Sequence, residues 1–144
     1  MKRFHLIFGL IVVIVFLLTG QYMDRYFNHL EGMPDGPRLL YRTRHIFILL
    51  AGLLNLGLGT YFRYRELPGR RIMQMLGSAL IVVATILFVA AFFYEPKLTN
   101  LHTPLSHWGM YTIVAGTLLH LLSGLGPRGV ERQETGLLNT KQNS

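Results

Sequence analysis

A chain of 144 residues that is 51% hydrophobic and 15% charged has room for four membrane spans with short connections, and for no separate soluble domain. The lack of cysteine removes disulfides, thiolate metal sites, covalent haem attachment through CxxCH and a lipidated N-terminal Cys. The net charge of +7 would suggest nucleic acid for a soluble chain; beside long apolar runs it reads as topogenic charge facing anionic headgroups.

The first apolar run covers about 4–20 and follows Lys2 and Arg3. It imitates a signal peptide, but Leu17 and Leu18 stand where small residues are wanted before a cleavage site, so it reads as an uncleaved anchor. Beyond Gly20, Tyr22, Met23, Tyr26, Phe27 and Leu30 recur at helical spacing. They predict a helix that continues past the bilayer or a short helix lying in its interface. Gly32, Pro34, Asp35, Gly36 and Pro37 then break the pattern. The link from about 21 to 43 is expected to be the longest and most irregular stretch.

The second run covers about 44–64. Leu67, Pro68 and Gly69 predict a tight turn before the third run, about 71–95, which Pro96 stops. Thr103 suits an N-cap and Pro104 the first helical position of the fourth run, about 104–125. Gly124, Gly126 and Pro127 end it. Each run is about 17–25 residues, the length needed to cross ~30 Å of hydrocarbon. None carries Asp, Glu, Lys or Arg in its middle. The fold class is therefore all-α: an integral membrane four-helix bundle over 1–128, with a polar tail over 129–144. Aromatic residues collect at the span ends, as amphipathic rings do at headgroup depth.

Basic residues set the sidedness. Lys2, Arg3, Arg63, Arg65, Arg70, Arg71, Arg128, Arg132 and Lys141 fall on one side; Arg25, Arg38, Arg42, Arg44 and Lys97 fall on the other. The positive-inside bias then places both termini in the cytoplasm.

In lipid, helices associate through small residues and interhelical hydrogen bonds, since apolar surface gives no driving force there. The expected inward faces are Gly9 and Thr19 on span one, and His45, Gly52, Asn55 and Gly59 on span two. On span three they are Gly77, Ala84 and Ala91 with Gln74, Ser78 and Thr85; on span four, Gly109, Thr112, Gly116, His120 and Ser123.

Six histidines are the main chemical candidates. His45 and His107 lie at similar depth on different spans, as two axial ligands of a b-type haem would, and His5 and His120 make a looser pair at the other side. Thirteen residues separate His107 from His120, ~220° of helix, so both cannot face one seam. His29, His45, Glu95, His102 and His107 have ligand types suited to zinc or copper, without diagnostic spacing. Asn55 and His120 are the intramembrane polar groups, where a costly side chain is either functional or an interhelical bond. Arg38, Arg42 and Arg44 with Lys97 on the outside, and Arg63, Arg65, Arg70 and Arg71 on the inside, form two anion- or lipid-binding candidates.

No deep carboxylate, Ser-His-Asp set, paired acids or phosphate loop is present in the sequence, so no residue is assigned a catalytic role. The expected function is a small non-catalytic inner-membrane protein, an accessory or interaction subunit. Its partners would be the lipid bilayer and other membrane subunits or itself, not nucleic acid. The rivals are a haem b-binding or other redox- or metal-sensing subunit, and a lipid or small-molecule carrier with its site between spans two and four.

Overall fold

Residues 1–61, 68–98 and 102–125 are described by a computed structural model, and among them four α-helices and two 3-10 turns account for nearly all of the chain, with no strand. They are α1 (Lys2–Phe27), α2 (Asp35–Tyr61), α3 (Pro68–Tyr94) and α4 (Pro104–Gly124), with turns at Asn28–Leu30 and Glu95–Lys97. Arg63, Arg65, Leu67, Gly126, Pro127 and the tail 129–144 lie outside the described residues.

Three stretches are long and apolar enough to cross a membrane: Lys2–Leu30, Asp35–Tyr61 and Pro68–Lys97. Three of the four expected spans are thus found by length and apolarity. α4 forms where expected, yet it is not among the three. Its serines, threonines, glycines, His107 and His120 dilute the leucines of its second half.

Of the two readings for the stretch beyond Gly20, the continued helix is the one found, since α1 runs unbroken to Phe27. The irregular link expected over about 21–43 is shorter than that, with only 28–34 between the helices. Tyr22, Met23 and Phe27 pack against the core, so the apolar period that begins in the first span holds α1 together to its end. Pro34, Asp35, Gly36 and Pro37 start α2 instead of interrupting the chain. The Pro34 carbonyl accepts the Arg38 N–H at 3.2 Å, Asp35 favours the positive helix end, and Pro37 sits where a missing N–H costs nothing. Pro68 and Gly69 likewise open α3.

Asn28, His29 and Leu30 all have positive φ, at 44°, 55° and 66°. Left-handed backbone is costly for residues with a Cβ. Leu30 is 3% exposed and part of the core, which holds the turn in place.

α1 runs antiparallel to α2, and α3 to α4. His5 meets Asn55 while Thr19 meets His45; Ser78 meets His120 while Glu95 meets Ser106. These two hairpins make the most extensive contacts, and α2 against α3 joins them. Ring pairs Phe47–Phe88 and Tyr41–Phe92, with centroids 5.1 and 5.3 Å apart, lie in that joint. Lys2, Arg70 and Arg71 therefore share one end of the fold, and Asp35, Glu95 and Ser106 the other; these are called the Lys2 end and the Glu95 end.

The buried faces are small and polar. They include Gly9 and Thr19 of α1, Gly52, Asn55 and Gly59 of α2, Gly77, Ser78, Ala84, Thr85 and Ala91 of α3, and Gly109, Gly116 and Ser123 of α4. Leu10, Ile14, Leu17, Leu53, Ile86, Leu118 and Leu121 are exposed. That distribution suits helices built for lipid, where large apolar side chains gain nothing from leaving the surface. Thr112 departs from the expected inward face. It is half-buried and bonds to its own helix at the Trp108 carbonyl.

Candidate functional site

The polar side chains of the interior fall into four groups, each joining different helices. The most deeply buried charges are at the Glu95 end. Glu95 is 0% exposed and Arg44 is 5% exposed. Arg44 Nε donates to Glu95 Oε2 at 2.8 Å, and the Ser106 hydroxyl donates to the same oxygen at 2.5 Å. The Ser106 backbone N–H donates to Oε1 at 2.8 Å.

Ser106 is the third residue of α4, where the backbone N–H has no carbonyl partner within the helix. Glu95 thus caps α4 from another element. Thr103 occupies the expected N-cap position, but its side chain makes no capping bond. A carboxylate at the end of α3 would be poorly placed by that helix's dipole; the N-terminus of α4 and the Arg44 guanidinium reverse the balance.

A second group crosses three helices, α1, α2 and α3. His5 Nδ1 and Asn55 Oδ1 are 2.8 Å apart. Asn55 Nδ2 donates to the Ala51 carbonyl at 2.9 Å and to Thr85 Oγ1 at 3.2 Å. Thr85 passes its own proton to the Ile81 carbonyl. The Ala51 carbonyl can only accept, which fixes the Asn55 amide with its nitrogen there. Asn55 Oδ1 then requires a donor, so His5 carries its proton on Nδ1. The bonds run in one direction, from α1 through α2 to α3.

The same logic sets His45. The Thr19 hydroxyl donates to the Phe16 carbonyl at 2.8 Å and lies 2.9 Å from His45 Nδ1. Its one proton is committed, so His45 Nδ1 is the donor. The imidazole stacks on Phe16 with centroids 4.0 Å apart, and a Cβ at Gly20 would stand 3.3 Å from His45 Cε1. In the fourth group, Ser78 Oγ and His120 Nε2 are 3.0 Å apart between α3 and α4.

Two of the three residues read as haem ligands have protein partners for a ring nitrogen. His45 is held against α1, His107 is exposed, and His120 is held against α3. In the looser pair, His5 bonds to Asn55 of α2 and His120 to Ser78 of α3. Among the described residues no three of His, Asp and Glu gather as metal ligands would. The set His29, His45, Glu95, His102 and His107 is therefore dispersed: His29 pairs with Asp24 at 2.7 Å and Glu95 belongs to Arg44.

The outer cation cluster is divided. Arg44 meets an internal anion, Glu95. Arg38 pairs with Asp35 one turn away, and Arg42 is exposed. At the Lys2 end Arg71 is exposed and Arg70 half-buried. Asn55 and His120, read as the intramembrane polar pair, belong to separate groups.

Comparison with protein-family models, with curated proteins and with solved structures finds no match to this chain.

Sequence reasoning missed Ser106 and the role of Glu95. A Glu-Pro step ending one helix, shortly before a Thr-Pro step opening the next, was the available signal. It marks two helix ends close in sequence, but not the Arg that joins them from α2.

Proposed function

We propose that this is a small integral protein of a bacterial inner membrane, a four-helix bundle with both termini on the cytoplasmic side. It serves as a non-catalytic accessory or interaction subunit, packed against other membrane subunits or a second copy of itself. The observation that carries the reading is the state of the interior polar groups. Arg44, Glu95, Ser106, His5, Asn55, Thr85, Thr19, His45, Ser78 and His120 are hydrogen-bonded to one another across helix seams. Each already holds two helices together, which is a sufficient reason for a polar group in lipid.

Sidedness rests on the basic residues at the Lys2 end. A surface for a further helix is the shallow groove between α2 and α4, lined by Leu50, Leu54, Met110, Ile113 and Val114. It remains open because α4 makes its main contact with α3.

The test is extraction of the full chain from membranes in mild detergent, followed by native mass measurement and crosslinking. The expected result is an assembly heavier than one chain, weakened by Val114→Trp in the groove. A lone chain at every concentration, with no companion subunit, overturns the proposal. A reduced-minus-oxidised haem signal lost in His45→Ala would transfer the assignment to the redox reading.

A further inference from the structure

α4 is the helix least suited to lipid on its own. It carries Ser106, His107, Thr112, Thr117, His120 and Ser123 along its length, and it is not among the stretches long and apolar enough to cross a membrane.

Three of these side chains are satisfied within the helix. Thr112, Thr117 and Ser123 donate to the carbonyls of Trp108, Ile113 and His120, and would keep those bonds wherever α4 lay. Two others reach outside it. The His120 imidazole meets Ser78 of α3 at 3.0 Å. Ser106 gives both its hydroxyl and its backbone N–H to Glu95, in the turn that follows α3. These two attachments lie about 21 Å apart along the helix axis, one toward each end.

Between them α4 rests on α3 without intervening side chains of its own. A Cβ at Gly109 would stand 2.7 Å from Phe88 Cε1, and one at Gly116 would stand 2.8 Å from the Gly77 carbonyl oxygen. Hydrocarbon offers no substitute for the partners on α3. An imidazole and a first-turn N–H facing lipid would each be costly, whereas at the membrane interface both could hydrate.

We infer that α4 is a conditional span. It crosses the membrane only while docked on α3, fastened at one end by Ser78 and His120 and at the other by Glu95 and Ser106. Undocked, it lies in the interface on the Glu95 side, because α3 delivers the chain to that side. The fold thus contains a two-state helix, and parting the α3/α4 contact carries Leu125 from one face of the membrane to the other. The inference rests on the four-span reading above but not on the accessory role.

The chain has no cysteine, so single cysteines report sidedness without background. Leu98→Cys and Leu125→Cys replace residues that are 40% and 77% exposed. Each is made in the full chain in cells and treated with a membrane-impermeant maleimide before and after permeabilisation. With no other change, the two should be labelled from opposite sides. Gly77→Leu with Ser78→Val alters α3 alone, and should bring Leu125→Cys to the side of Leu98→Cys. Adding His120→Leu should return it, since α4 then has no imidazole to shelter. Ser78→Val with Ser106→Ala gives the same comparison if the bulkier pair fails to fold.

A Leu125→Cys that keeps its side in both docking variants overturns the inference, for α4 would then cross unaided. A change of side that His120→Leu does not reverse also overturns it, because the whole fold would have been lost rather than the fitness of α4 for lipid. Both markers on one side in the otherwise unsubstituted chain would instead overturn the four-span reading, and with it the conditional span. A chain left in the aqueous supernatant without detergent would overturn the membrane reading itself.

Discussion

Arg44 and Glu95, 51 residues apart in the chain, form a buried ion pair with Nε and Oε2 at 2.8 Å. The same carboxylate caps α4 through Ser106, so one side chain ties together α2, the end of α3 and the start of α4. Removing the cation alone leaves a carboxylate with nowhere to hydrate. Arg44→Ala should lower stability by about 3–5 kcal/mol, measured by unfolding in detergent micelles. Arg44→Met with Glu95→Met should recover much of that loss. A double variant as unstable as the single would show that the cap on α4, not the unpaired charge, dominates.

Gly77 and Gly116 bring α3 and α4 close together, reciprocally. A Cβ on either would stand 2.8 Å from the carbonyl oxygen of the other. A backbone oxygen cannot move aside as a side chain can. Gly116→Ala should therefore cost about 1–3 kcal/mol. Gly57→Ala meets nothing within 4 Å, and should be neutral or stabilising by about 0.5–1 kcal/mol, because alanine loses less freedom in a helix. Equal effects at the two sites would refute close packing at Gly116.

Asn55→Leu and Thr85→Val should rank in a definite order. Leucine removes the acceptor for His5 and both donations from Nδ2, at a cost of about 1–3 kcal/mol for buried groups left without partners. Valine removes only one acceptor and a local bond, so its cost should be nearer 0.6 kcal/mol, the mean for interhelical bonds in membranes. The difference is measurable in the same unfolding assay, and the reverse order would mean that the three-helix chain of bonds is not formed.

His29→Gly should raise stability by about 0.5–1 kcal/mol. The residue has φ of 55°, which glycine adopts without strain. Its partner Asp24 is an exposed pairing, with side chains 75% and 52% accessible, and such pairs contribute little. Leu30→Gly should do the opposite despite a φ of 66°, since Leu30 is 3% exposed and anchors the turn in the core. A thermal melt of the two variants distinguishes backbone strain from side-chain burial.

Much of the helix packing was legible in the sequence. Gly52, Asn55 and Gly59 repeat at three- and four-residue intervals, and that period alone puts them on one face. Gly77, Ala84 and Ala91 do the same over whole heptads. Breakers were harder to read. Pro34, Asp35 and Pro37 look like a loop in one dimension, yet a first helical turn tolerates each of them, and the packing of Phe27 and Tyr41 decides that the helices extend to meet there. Arg38, Arg42 and Arg44 also looked alike, as a cluster within seven residues. Only Arg44 lies on the buried face, where Glu95 awaits it.

The amino-acid order by itself determined that four helices form and which small and polar residues share a face on each, because the 3.6-residue period is a local property. It did not determine which inward-facing polar group meets which. That choice was made only when the hairpins closed and met, since a hydrogen bond needs its atoms within about 3 Å. Residues as distant as His5 and Asn55, Ser78 and His120, or Arg44 and Glu95 reach that distance only through the register in which whole helices settle.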